Sequence, residues 1–254
     1  MIKPNLREFV KAMSLEGLAI PQTSQDPPEV TGVQGFSLED KADFWAIRGV
    51  SYRNGIYQVD LSKTLLPTGT QAQHAERRKQ ALETDSYYVP DFPLFHASIN
   101  ALYQNRDGRF KDEINRAKTS LAALINNKWL ITLTRPAYNP DGTASLTHNY
   151  DHADSYQKIV SNFVGPDGDI TGTANAQELL QALLDTRQTP QEISQVYAWL
   201  RGLPSRLWRV NAKPENRVES TAGFVADSDG SDFDCGRIPV DSDSGLGVRA
   251  RKIE

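Results

Sequence analysis

The chain has a single cysteine, Cys235, in 254 residues, so no internal disulfide can form and folding needs no oxidising compartment. No apolar run approaches membrane-spanning length. Neither charge is in large excess: 28 Lys and Arg stand against 32 Asp and Glu, a formal net charge of −4. That balance removes the electrostatic basis for general nucleic-acid binding. Enzyme motifs are missing too, with no Gly-rich phosphate loop, no nucleophile elbow and no His-Glu-x-x-His pair. Cys235 lies between Asp234 and Gly236 with no base beside it, which suits a small buried hydrophobe better than a nucleophile. The expectation is a protein that is not an enzyme and needs no cofactor. One absence is local: between Gly223 and Ala250 there is no Lys, Glu, Gln, Met or Trp.

What is present describes a soluble chain, with 39% hydrophobic residues and a mean hydropathy of −0.52. Its length allows one large domain or two small ones. The first residues, Met-Ile-Lys-Pro-Asn-Leu-Arg-Glu, hold no apolar core of a secretory signal. Synthesis in the cytoplasm without a signal peptide is expected, a placement compatible with later association with a virus particle.

Along the chain, Asn5 can cap a helix whose Leu6, Phe9, Val10 and Met13 share a face, and residues 21–35 read as a connection. Ser37 is positioned to cap a second helix with Leu38, Ala42 and Trp45 inward and Gly49 at its stop. Asn54-Gly55 between two apolar runs predicts a type I′ hairpin with positive φ at both residues. Residues 71–83 predict a polar helix whose His74, Glu76, Arg77, Arg78 and Lys79 form a solvated face. Helices follow at 94–104, with Phe95, Ile99 and Leu102 inward, and from Phe110, with Ile114, Ala117, Leu121 and Leu124 on one stripe. A strand at 129–134 turns through Pro140-Asp141-Gly142 into a partner at 143–150. Asn175 with Glu178, and Thr189 with Glu192, have capping-box spacing and open helices at 176–185 and 190–202. Leu207 to Val210 begins a final strand system in which Trp208 is expected inside.

Two clusters invite a metal. His148, Asp151, His152 and Asp154 crowd into seven residues, and on a helix the two His would share a face. They follow a strand and lie in a polar loop, where an ordinary surface role is the competing explanation. Asp227, Asp229, Asp232 and Asp234 alternate around Gly230 like part of a calcium loop, without its terminal Glu. A metal-dependent enzyme or a calcium-binding protein is the alternative these clusters support. A third possibility is an acidic exposed end with no specific task.

The segment 223–254 carries the strongest signal. Short apolar pieces at 233–235 and 246–248 are set among Asp, Ser and Gly, as in short strands joined by exposed loops. Trp208-Arg209, then Asp-Phe-Asp-Cys-Gly-Arg at 232–237, then Gly-Leu-Gly-Val-Arg-Ala-Arg at 245–251 resemble the end of the variable proteins of diversity-generating retroelements. The resemblance implies a C-type lectin-like fold whose last segment is rewritten by a reverse transcriptase that errs at template adenines. Codons of the AAC type then yield Asp, Ser, Gly, Arg, Val, Phe and others, but never Lys, Glu, Gln, Met or Trp. The likeness covers residues 208–251 and lacks the Gly-Gly-Ser-Trp type of segment that commonly precedes the variable part.

The expected fold is α+β. A mostly helical part with one β-hairpin spans 1–128, and a C-type lectin-like part of short antiparallel strands spans 129–254, with a variable segment at 223–250. Phe224, Phe233, Cys235, Leu246 and Val248 would be buried scaffold. The resemblance makes the chain a display protein whose outward positions contact a ligand: Asp227, Ser228, Asp229, Gly230, Ser231, Asp232, Asp234, Arg237, Val240, Asp241, Ser242, Asp243 and Ser244. Its partner would be a protein or other macromolecule, with no nucleic acid and no membrane insertion. The acidic set suits a basic or polar ligand surface.

Overall fold

The first strand, β1 (Ser37–Asp40), pairs antiparallel with β2 (Phe44–Tyr52), which turns into the long β3 (Gly55–Gly69). They open a computed structural model that describes residues 35–254. The helix expected after Asn5 and nearly all of the connection at 21–35 lie outside the described residues. The helix expected from Ser37 to Gly49 is instead this strand pair. Trp45 and Ile47 are buried while Arg48 points out. Gly49 stops no helix: it takes φ +80° at a register shift between Arg48 and Val50, a bulge where a Cβ would press on the Phe36 backbone. The hairpin after it forms, but its loop residues are Arg53 and Asn54. Tyr52 pairs with Gly55, and Arg53 takes the positive φ of +52°.

Three helices follow. Thr70 opens α1 (Gln71–Thr84) with a capping box to Gln73, Asp91 caps α2 (Phe92–Gln104) through the Leu94 N–H, and α3 spans Lys111–Ile125. The run expected as one strand from 129 divides in two. β4 (Lys128–Ile131) stays in the large sheet, and β5 (Thr134–Tyr138) starts a second with β6 (Ala144–His148) and β7 (Tyr156–Val160). After the short β8 (Gly168–Asp169) come α4 (Ala176–Leu184) and α5 (Pro190–Arg201). The capping box at Thr189 is present; that at Asn175 is not, because Asn175 adopts a left-handed conformation and Glu178 accepts the Ser161 N–H instead. The remaining strands are β9 (Ser205–Trp208), β10 (Val218–Glu219), β11 (Thr221–Ala226), β12 (Ser231–Arg237) and β13 (Asp243–Lys252).

The fold is mixed α+β. Nine strands form one sheet in the order β1-β2-β3-β13-β4-β11-β12-β9-β8, and four form another, β10-β5-β6-β7. The last strand, β13, lies along β3 from Lys252–Tyr57 to Asp243–Gly69, so no boundary separates the described residues at 128. The part before 128 holds three strands as well as three helices. Phe92 and Phe95 of α2, Tyr197 of α5, Phe224 of β11 and Phe233 of β12 form one aromatic cluster with ring centroids 4.9–6.0 Å apart. This cluster fixes which face of β11 and β12 looks inward.

Candidate functional site

Strand alternation sorts the C-terminal residues. Phe233 and Cys235 of β12 point to the core with Phe224 and Leu207, and Leu246 and Val248 of β13 are buried too. Burial pushes the Cys235 thiol far up, so it stays a neutral apolar side chain. Asp232 and Asp234 face the other way, opposite Arg206 and Trp208 of β9.

Each outward Asp takes an indole. Trp208 Nε1 donates to Asp232 at 2.9 Å, and Trp129 Nε1, from β4, donates to Asp234 at 3.1 Å. Gly223 lies under the Trp129 ring, where a Cβ would collide with it. Arg206 holds both oxygens of Asp232, at 2.8 and 3.1 Å. Asp232 is thereby buried, and Trp208, expected inside, is 44% exposed as its cover. Arg237 stacks on Trp129, 4.6 Å from the ring centroid, and donates to Asp243 at 2.9 Å. Its Nε also lies 3.2 Å from Asp241, close enough for charge attraction but without hydrogen-bond alignment. Burial raises the Asp243 carboxyl above its ordinary value against the opposing pull of Arg237.

The thirteen expected positions fall into two groups. The β11–β12 turn is built by Asp227, whose Oδ1 accepts the N–H groups of Asp229 and Gly230 at 2.8 and 2.9 Å. Ser228 and Asp229 are exposed there, but Gly230 is buried against Pro204, and Ser231 faces inward opposite Ser205. These two, with Asp232, correct the expectation of an outward surface. At the other end of β12, Val240 and Ser242 are exposed, and Asp234, Arg237, Asp241, Asp243 and Ser244 are half-buried. Ser231 and Arg237, at the two ends of β12, are six residue steps of about 3.3 Å apart, roughly 20 Å, with Asp232 and Asp234 between them.

The second group borders a recess of about 360 Å³, whose walls include Trp208, Asp234, Arg237, Ile238 and Asp241. The sequence reading missed three neighbours. Ile238 is 62% exposed beside it. Asp167 reaches the recess and accepts the Arg209 N–H at 2.8 Å. Arg209 stitches the loop behind, donating to the carbonyls of Gly165, Pro166, Ala174 and Asn175. A larger recess of about 520 Å³ lies by the starts of α4 and α5 and holds none of the thirteen.

The metal alternatives do not assemble. His148 is buried, bonded to Thr134 Oγ1 and the Ala182 carbonyl, at 3.0 Å each. Asp154 is held by Arg78 at 3.0 and 3.2 Å, His152 at 2.6 Å and Asn149 at 2.9 Å, while Asp151 pairs with Lys79. His74 and Arg78, expected on a solvated face, are both buried; His74 Nε2 meets the Asp243 carbonyl at 2.9 Å. Asp227 and Asp232 share Arg206 in place of a cation site. Among the described residues no group of three or more His, Cys, Asp or Glu is placed to hold a metal, and no helix is long and apolar enough to cross a membrane. Compared with known proteins, the chain matches no family model, no curated protein and no solved structure.

Proposed function

We propose that this is a ligand-binding display protein, the variable protein of a diversity-generating retroelement, with 223–250 as its rewritten segment. One observation carries this. The segment without Lys, Glu, Gln, Met or Trp alternates between buried scaffold, Phe224, Phe233, Cys235, Leu246 and Val248, and solvent-facing Ser228, Asp229, Val240 and Ser242. Surface changes at such positions cost little stability, so side chains there can vary while the sheet persists. The same resemblance assigns residues 129–254 to a C-type lectin-like arrangement. The partner is a protein or other macromolecule, met at the Arg237–Asp243 end of β12, and no catalytic step is assigned. The test is the DNA downstream of the gene. A near-copy of codons 223–250 beside a reverse-transcriptase gene, differing at adenines, is the expected result. Absence of both removes the proposal.

A further inference from the structure

The geometry points to an arginine side chain of a partner protein as the group that seats in the recess beside Trp208. This rests on the recognition function proposed above and specifies its ligand chemistry. The chain has four tryptophans, and three carry a cation of the protein itself. Lys63 lies 4.6 Å from the ring centroid of Trp45, Arg237 4.6 Å from Trp129, and Lys118 5.4 Å from Trp199. Trp208 has none among the described residues, and its ring is exposed at the rim of the recess. Aromatic faces attract cations, most strongly the indole.

The carboxylates around it have matching vacancies. Asp167 and Asp234 both reach the recess, and neither makes a side-chain ion pair among the described residues. Asp234 accepts from the Trp129 indole and the Gly236 N–H, and Asp167 from the Arg209 N–H and Asn211 Nδ2. Two carboxylate oxygens offer about four acceptor positions, so each retains capacity. A guanidinium can lie flat on an indole while its edge donates to carboxylates, which an ammonium does less well. The protein already shows the arrangement: Arg237 stacks on Trp129 with Asp241 and Asp243 at its edge. Ile238 and Val240, 62% and 75% exposed, would cover the aliphatic neighbours of the incoming residue.

The test uses the full chain labelled with ¹⁵N and a tetrapeptide, acetyl-Gly-Arg-Leu-Gly-amide, followed through the four indole N–H resonances. The expected result is a saturable shift at Trp208, with Trp45 and Trp199 unmoved. The citrulline peptide, equal in shape and uncharged, should bind at least about tenfold more weakly, and Asp234→Asn or Asp167→Asn at least about fivefold, as loss of a charge-assisted hydrogen bond implies. Asn keeps an acceptor oxygen at either position for the Arg209 or Gly236 N–H, and urea denaturation unchanged from wild type shows that the variant is folded. No saturable shift, equal binding of the citrulline peptide, or a shift centred on another tryptophan overturns the inference. That failure leaves the proposed display function standing, which the downstream DNA decides separately.

Discussion

Asp91 is where side-chain chemistry and stability meet most directly. It is fully buried, caps α2 through Leu94 N–H at 2.9 Å and accepts the Tyr52 hydroxyl at 2.8 Å. Burial pushes its carboxyl up to about 6 despite those bonds. A folded-state value above the unfolded one means the native protein holds the proton more tightly. The stability that proton contributes is therefore complete below the unfolded value and lost as pH rises through about 6. Asp154 has the opposite sign. Burial opposes its ionisation, but Arg78 and His152 outweigh it and the carboxyl sits below the ordinary value, so its contribution is lost on acidification. Chemical denaturation of wild type and Asp91→Asn should thus converge or cross between about pH 4 and pH 7, the variant gaining on the order of 1–3 kcal/mol relative to wild type as pH rises. A pH-independent difference would show that Asp91 does not titrate in that window. Nothing in the sequence around Asp91 marked this network, because Tyr52, Arg78 and Asn149 come from distant segments. Trp208 faces out for a simpler reason: with Leu207 inward, its neighbour on the same strand takes the opposite face.

At the scale of elements, amphipathic helices with clear stripes were legible: α2 and α3 bury the expected Ile99 and Ile114. The stretch 37–49 was not, because Leu38, Ala42 and Trp45 at helical spacing also fit two short strands, and only pairing with β3 decides between them. On β12 the alternation of core and outward residues was readable, whereas the Arg206 and Trp208 partners that bury Asp232 were not. The structure divides the acidic residues accordingly. Substituting Ser228, Asp229, Asp241 and Ser242 singly by Asn or Tyr should shift unfolding free energy by less than about 0.5 kcal/mol each. Asp232→Ala should cost on the order of 1–3 kcal/mol, because it leaves Arg206 and the Trp208 indole without their acceptor. Phe233→Ala should cost about 3–5 kcal/mol. Equal sensitivity of loop and core positions in urea denaturation would contradict the division.

For the whole molecule, the large sheet joins early and late segments, with β13 set between β3 and β4. Residues 223–250 are thus built into the central sheet, and Phe224, Phe233, Cys235, Leu246 and Val248 are part of the core. Diversity is compatible with folding only where codons for outward residues change and codons for Phe224, Phe233, Cys235 and Leu246 do not. Deep sequencing of the gene's 3′ end across a population tests this most directly. The account predicts substitutions concentrated in codons 223–250, at positions such as Ser228, Asp229, Val240, Asp241 and Ser242, with those core codons constant. Substitutions spread evenly along the gene, or falling equally on the core codons, would contradict it.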